Sequence, residues 1–148
     1  MEAIDRILEK FPEIRGNLIS ILHEVQSLEN YLPEGSLRYL SQKTGVPLTQ
    51  FYAIATFYHF FSLVPKGRHR IHLCLGTACH VKGSPRILNE VKKRLRVAEG
   101  ETTEDRRFTL ETVRCVGACS LAPVMVVDNK THGNMVLTEV GDILKNYQ

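Results

Sequence analysis

Residues 70–88 read RIHLCLGTACHVKGSPRIL, and this stretch decides how the second half of the chain folds. Apolar residues alternate over 71–75, which predicts a strand. The Ser-Pro pair at 84–85 is typical of a helix start, because serine is favoured at the N-cap and proline in the first turn. Between them lies a loop in which Cys74 and Cys79 are spaced C-x4-C. The stretch therefore predicts a strand, a cysteine loop and a helix in succession.

The rest of the second half repeats this alternation of strands and helices. Residues 108–112 alternate as in a strand, and an apolar run at 123–127 predicts another. A polar turn at 128–133 is expected to lead into a hairpin partner at 135–137, and Thr138 is expected to cap a last helix. The order β-α-β, hairpin, α predicts a small four-stranded sheet with helices packed on it.

The first half contains only helical patterns. Apolar residues recur there at helical spacing, and Ser36 is expected to cap one of the helices. The last helix, expected over 47–61, includes FYAIATFYHFF, which holds six of the eleven aromatic residues and predicts burial on all sides. Surface or interface use is best argued for Phe60 and Phe61. We therefore expect an α+β or α/β protein: a helical bundle, residues 1–66, that docks a partner, then a sheet domain, residues 67–148.

Composition excludes several classes of protein. The chain has 148 residues, 43% of them hydrophobic, which argues against global disorder. No apolar stretch is long enough to span a membrane, and the N-terminus lacks a signal-peptide layout. We expect a protein of the cytoplasm or of a mitochondrial-type matrix, either free or peripheral on the inner face of a membrane complex. Residues 1–65 carry 5 Lys and Arg against 7 Asp and Glu, whereas residues 66–148 carry 14 against 9. This mild basic excess fits an acidic partner or a buried negative cofactor, and is too weak to require nucleic acid.

The four cysteines form two close pairs in matching loops. Cys74 and Cys79 are followed, after a gap of 35 residues, by Cys115 and Cys119 in a C-x3-C spacing. Small residues in both loops allow backbone N–H groups to approach the sulfurs. Wide spacings favour a [2Fe–2S] cluster, in which each iron takes two thiolates. A four-cysteine zinc site, two disulfides and four unrelated thiols remain as less favoured alternatives.

Other redox centres do not fit this pattern. A Rieske centre requires two histidine ligands, and a thioredoxin-type dithiol requires C-x-x-C. His80 follows Cys79 directly and is expected near the site or at the surface rather than as a ligand. Lys82, Arg86 and Arg114 are close to the cysteines in sequence, where they would either moderate the charge of a cluster or act as solvated surface charges.

Two segments carry a resemblance to a known family. They are ATFYHFFSLVPKGRHRIHLCLGTACHVKGSPRIL (residues 55–88) and VRCVGACSLAPVMVVD (residues 113–128). The chain resembles the thioredoxin-like [2Fe–2S] ferredoxin subunit of NADH dehydrogenases, the 24 kDa or E subunit of complex I. The same family supplies the small subunit of NAD-linked and electron-bifurcating hydrogenases and of NAD-linked formate dehydrogenases. The resemblance covers nearly the whole chain.

This resemblance implies a fold, a cofactor and a partner. It implies a helical bundle followed by a thioredoxin-like domain, with a [2Fe–2S] cluster held by Cys74, Cys79, Cys115 and Cys119. The implied partner is a flavoprotein that binds FMN, NADH and a [4Fe–4S] cluster, beside further iron–sulfur subunits. The chain has no nucleotide-binding fingerprint of its own. It would therefore carry single electrons, with no active site on this chain alone, no nucleic acid and no membrane insertion.

A second function class is kept as an alternative. Residues 36–61 are similar to a helix-turn-helix with Thr-Gly-Val-Pro as the turn, so an iron–sulfur redox-sensing transcription regulator is conceivable. The segment holds only Arg38 and Lys43 as cations, and aromatic residues replace most side chains that would contact bases. The absence of a basic footprint in this segment argues against the alternative.

Overall fold

The computed structural model describes residues 2–147 and divides into two compact units, Met1–Lys66 and Gly67–Gln148. Among the described residues, the first unit contains helices and no strand, and the second contains a sheet with helices, as the sequence predicts. Within the described residues, no helix is both long and apolar enough to cross a membrane.

Four helices build the first unit: α1 (Glu2–Glu9), α2 (Leu18–Glu29), α3 (Glu34–Thr44) and α4 (Leu48–Phe57). Each helix turns an apolar stripe toward a shared core, since residues three and four apart lie on one face. Phe51 of α4 is fully buried in this core. The expectation that Ser36 caps α3 is wrong: α3 begins at Glu34, after Pro33, and the Ser36 hydroxyl donates to a carboxylate oxygen of Glu29 at 2.9 Å.

The aromatic segment differs from its prediction in two ways. First, α4 ends at Phe57 rather than at Phe61, because the backbone of Tyr58 is extended. Second, the segment is not buried on all sides: the exposed fraction is 74% for Phe57, 41% for Tyr58 and 52% for Phe60. Phe61 is buried in the helical core, so the expected surface use of Phe61 is wrong, whereas Phe60 is exposed as surface use requires.

A buried glutamine holds the turn that presents these aromatic rings. The side-chain amide of Gln26 donates to the carbonyl oxygen of Phe60 at 2.9 Å and accepts from the backbone N–H of Ser62 at 2.7 Å. The ring of His23 stacks on Phe60. Two hydrogen bonds to one buried amide fix the backbone of the turn, because leaving that amide unpaired would carry a desolvation penalty.

Two phenylalanines of α4 provide a matched test of this packing. We expect Phe51→Ala to destabilise the helical unit by about 3–5 kcal/mol, because it empties a ring-sized volume in the core. Phe57→Ala, on the same helix but exposed, should change stability by less than about 0.5 kcal/mol. Chemical denaturation followed by far-UV circular dichroism measures both, and equal losses in the two variants would contradict this core.

The second unit contains β1 (His69–Cys74), α5 (Thr77–Val81), α6 (Ser84–Leu95), β2 (Phe108–Val113), β3 (Met125–Val127), β4 (Lys130–His132) and α7 (Glu139–Lys145). The sheet order is β2-β1-β3-β4. β1 pairs with β2 in parallel, and the other two pairings are antiparallel. Apolar residues on one face of the sheet, Ile71 and Leu73 among them, share a core with α6 and α7. The predicted four-stranded sheet with packed helices is confirmed.

The hairpin partner of β3 is not where the sequence predicts it. β4 covers Lys130–His132, and its register with β3 leaves only Asp128 and Asn129 in the turn. Asp128 takes a left-handed conformation with φ of 54°, which Asp tolerates better than most residues. The expected strand at 135–137 is absent, and Met135 instead packs into the core of the unit.

Candidate metal centre

The parallel pairing of β1 and β2 brings the two cysteine loops together. Cys74 is the last residue of β1 and lies opposite Val113, the last residue of β2. Because parallel strands end at the same edge of a sheet, the loop after each strand starts there. Cys115 follows β2 by two residues, Cys119 opens a short 3-10 turn, and Cys79 lies in α5. All four cysteines line one cavity of about 760 Å³.

The two pairs differ in exposure. Cys74 and Cys79 are buried, with 1% and 2% of their surface exposed. Cys115 and Cys119 are exposed. One side of the cavity is therefore sealed in the protein, and the other faces outward.

The sulfur–sulfur distance of the exposed pair suits two ligands on one metal atom. The Sγ atoms of Cys115 and Cys119 are 3.8 Å apart. Two thiolates on a tetrahedral metal, with metal–sulfur bonds of ~2.3 Å, stand ~3.8 Å apart. The backbone N–H of Gly117 donates to the Cys115 sulfur at 3.2 Å, with Gly117 at a φ of +79° that glycine adopts without strain.

The loop that follows Cys74 contacts the backbone of the second cysteine loop so closely that there is no space for a side chain at Gly76. A Cβ on Gly76 would overlap the carbonyl oxygen of Arg114 and lie 3.5 Å from the Cys74 sulfur. The hydroxyl of Ser84, fully buried at the start of α6, donates to the carbonyl oxygen of Cys74. The backbone N–H of Cys74 donates to the carbonyl oxygen of Val124 at 3.1 Å. Helix, loop and sheet thus position Cys74 together.

The thiols influence one another electrostatically. Burial is the strongest influence on Cys74 and raises its pKa, but donors such as the backbone N–H of Gly76, together with neighbouring thiols, bring that pKa below its ordinary value. Burial and the nearby Cys74 raise the pKa of Cys79. The neighbouring Cys115 raises the pKa of Cys119. Burial and the neighbouring thiols therefore oppose ionisation of Cys79 and Cys119, and a bound cation would offset that cost.

This donor set fits a metal cluster held by sulfur. All four cysteines are free, and the 3.8 Å between Cys115 and Cys119 is far beyond a disulfide bond, so the structure gives no support to disulfides. Among residues 2–147, no three His, Cys, Asp or Glu side chains are arranged as a site for a single ion. Two pairs of thiols around a common cavity match the requirement of a two-iron cluster for two thiolates on each iron.

Two of the three expected cations lie at the cavity. Lys82 and Arg114 line it, whereas Arg86 lines a separate depression with His80. His80 is exposed. The sequence indicated that small residues would let the backbone approach the sulfurs, but it did not identify the individual donors. A glycine two residues after the first cysteine of each pair was the available signal for Gly76 and Gly117. The hydrogen bond from the Cys74 N–H to the carbonyl oxygen of Val124 depends on a contact that no local motif encodes.

Comparison with known proteins identifies the family of this chain. The family model of the thioredoxin-like [2Fe–2S] ferredoxins matches residues 4–148. The HndA component of the NADP-reducing hydrogenase of Solidesulfovibrio fructosivorans is 40% identical over 142 residues, which is 96% of this chain and 83% of that protein. The E component of the NADH-quinone oxidoreductase of Escherichia coli K12 is 31% identical over 147 residues, which is 99% of this chain and 89% of that protein.

A solved structure shares the fold. The crystal structure of an air-oxidised NAD+-reducing [NiFe]-hydrogenase matches 89% of this chain with a TM-score of 0.76 and 24% identity. The match spans only 23% of that hydrogenase chain. The family match confirms the thioredoxin-like fold and the [2Fe–2S] cofactor implied by the sequence resemblance. On the match over residues 4–148 and the two close relatives, the chain belongs to the thioredoxin-like [2Fe–2S] ferredoxin family.

Proposed function

We propose that this chain is the one-electron carrier subunit of an NAD(H)-linked, flavin-containing oxidoreductase complex. Its [2Fe–2S] cluster is held by Cys74, Cys79, Cys115 and Cys119. The main observation in support of this proposal is that the thiols of two separate loops line a single cavity where β1 and β2 end. When bound, a [2Fe–2S] cluster supplies exchange of a single electron.

The protein contributes ligands, hydrogen bonds and partial burial. Cys74 and Cys79 fix the inner side, where low exposure limits access of water. The N–H of Gly117 donates to the outer sulfur of Cys115 and stabilises negative charge there. Lys82 and Arg114 add positive charge at the cavity. These are the means by which a protein adjusts the reduction potential of a cluster, and none of them requires a nucleophile or a general base.

The NAD(H) and flavin chemistry is assigned to a partner. The relatives are subunits of an NADP-reducing hydrogenase and of NADH-quinone oxidoreductases. This supports a flavoprotein partner that binds FMN, NADH and a [4Fe–4S] cluster, with further iron–sulfur subunits in the complex. The proposal also includes docking of that partner on Met1–Lys66 and a cytoplasmic location. Exposed Phe57 and Phe60 on the helical unit favour the docking role.

The transcription-regulator alternative gains no support. α3 and α4 do form two helices joined by a short turn, but the family match and the relatives point to electron-transfer subunits. The two cations of the segment are both paired: Arg38 with Glu34 at 2.5 Å and Lys43 with Asp5 at 3.4 Å. They leave little free positive charge for a phosphate backbone.

Reduction by NADH tests the proposed function. The purified chain, holding its cluster, should not be reduced by NADH alone, because the assigned hydride chemistry lies on the partner. Addition of the flavoprotein that copurifies with it should reduce the cluster, measured as bleaching of its visible absorbance. Oxidation of NADH by this chain alone, or failure of the flavoprotein to reduce it, would contradict the assignment. Full reduction by dithionite shows in either case that the cluster is intact.

A further inference from the structure

A buried serine at the start of α6 does not cap that helix. Ser84 is the first residue of α6, and the preceding Gly83 takes the N-cap position that the sequence suggested for the serine. The Ser84 side chain is fully buried, and its hydroxyl donates to the backbone carbonyl oxygen of Cys74, ten residues earlier in the chain. A serine at a helix start usually bonds to the N–H groups of its own helix, whereas this hydroxyl is directed to a cysteine.

The Ser84 hydrogen bond closes the first cysteine loop, residues 74–84. This loop begins with Cys74 at the end of β1, includes Cys79 in α5 and ends at Ser84. It therefore carries both buried cysteines. Gly83 has a φ of +103°, in the left-handed region that glycine adopts without strain, and so turns the chain directly before Ser84. The turn and the hydrogen bond together join the two ends of the loop.

The peptide bond after Cys74 is held on both sides. Its carbonyl oxygen accepts from Ser84, and its N–H, which belongs to Leu75, donates to the carbonyl oxygen of Val113 at 2.8 Å. Because a peptide unit is planar, hydrogen bonds to its two opposite sides fix its orientation. The residue is also fixed on its other side, since the N–H of Cys74 donates to the carbonyl oxygen of Val124 at 3.1 Å. The backbone that carries the Cys74 sulfur therefore has little freedom to rotate.

The orientation of this peptide bond bears on the sulfur itself. The backbone N–H of Gly76 belongs to the next peptide unit and donates to the sulfur of Cys74. Rotation of the peptide bond before Leu75 would turn that N–H away, because the two peptide units are joined at the α-carbon of Leu75. A donor at a sulfur stabilises negative charge, and reduction of a cluster adds negative charge, so the reduced form gains more from the hydrogen bond than the oxidised form. Loss of the orientation therefore favours the oxidised form.

We propose that Ser84 is a positioning residue of the redox centre. Its hydroxyl holds the peptide bond after Cys74 in the orientation that lets the backbone donate to the Cys74 sulfur, and it thereby raises the reduction potential of the cluster. Ser84 bonds to the backbone of Cys74 and acts through that residue. The inference rests on the proposed function, because it takes Cys74 as a ligand. A serine with a purely structural role would affect the stability of the fold and leave the potential unchanged.

Potentiometric titration of the full-length, cluster-loaded chain, followed by EPR in the presence of chemical redox mediators, tests this role. Ser84→Ala should shift the one-electron equilibrium about three- to tenfold toward the oxidised form, a fall in potential of about 28–59 mV, and should change the EPR g values. Ser84→Thr keeps the hydroxyl and should recover most of the potential. Ser36→Ala is the matched control, since Ser36 is also buried in the first turn of a helix and its hydroxyl donates to Glu29 instead. It should leave the potential and the g values unchanged.

Each outcome bears on the role of Ser84. Equal potentials and spectra in Ser84→Ala and the unmodified chain would overturn it, as would an equal shift in Ser36→Ala. If Ser84→Ala holds no cluster, circular dichroism and Ser84→Thr decide. A folded Ser84→Ala chain whose iron content returns in Ser84→Thr supports the role, whereas an unfolded chain, or equal loss in both variants, overturns it. Because mediators replace the flavoprotein, failure of the flavoprotein to reduce the chain would contradict the electron-carrier function and leave this comparison intact.

Discussion

Replacing Cys79 by alanine should abolish cluster binding. Cys79 is buried at 2% exposure and lines the cavity with the other three thiols. Alanine removes a proposed ligand, and water or another side chain has little access to the buried side of the cavity to replace it. We expect the purified Cys79→Ala variant to lack visible absorbance, bound iron and the EPR signal of a reduced cluster, because a [2Fe–2S] cluster requires two ligands on each iron.

The adjacent histidine provides the control. His80 is exposed, follows Cys79 in the same short helix and does not line the cavity. His80→Ala should keep the full iron content and the spectrum of the unmodified protein. Full cluster content in Cys79→Ala, or its loss in His80→Ala, would show that the ligands are assigned wrongly.

Gly76→Ala is expected to displace the first cysteine loop. The new Cβ would overlap the carbonyl oxygen of Arg114, a backbone atom that cannot move without shifting the second loop. Forcing extra atoms into a filled site costs about 1–3 kcal/mol, and here the strain acts directly between the two loops that carry the proposed ligands. The variant should fold, bind substantially less iron than the unmodified protein and release it faster on mild heating.

Gly35→Ala is the matched control for this substitution. Gly35 lies in α3, where a Cβ would meet no atom within 4 Å. Alanine there should stabilise the helix by up to about 1 kcal/mol and leave iron content unchanged. Iron per chain and the release rate, compared between the two variants, measure the effect, and a Gly76→Ala variant with full and stable iron content would contradict the close approach of the loops.

The site was predictable because its signal is local. Cys74 and Cys79, and then Cys115 and Cys119, are spaced in two short loops, each preceded by a strand whose alternation is visible in sequence. What the sequence did not provide is the difference in exposure between the pairs: Cys74 and Cys79 are buried in a cluster with Ala122 and Val124, which lie just before β3. α5 itself has five residues, too few for a helical period to show.

The errors in the position of β4 and in the end of α4 have physical causes. β4 is a short edge strand of Lys130, Thr131 and His132, all polar, so no apolar alternation marks it. The more apolar segment at 135–137 is instead a loop whose Met135 packs into the core. In the helical unit, a run of aromatic residues suggested a longer buried helix, but Gln26 pairs with the backbone around Phe60 and stabilises a turn there. Gln26 and Phe60 are 34 residues apart in sequence, so no local pattern indicates their contact.

Metal analysis of anaerobically purified protein, combined with EPR, tests the central claim most directly. Iron, acid-labile sulfide and zinc are counted per chain, and the spectrum is recorded before and after reduction. A cluster on the four cysteines predicts about two irons and about two sulfides per chain, with an EPR signal that appears on one-electron reduction. A colourless protein with about one zinc per chain, and no EPR signal on reduction, would contradict the account, since zinc does no redox chemistry.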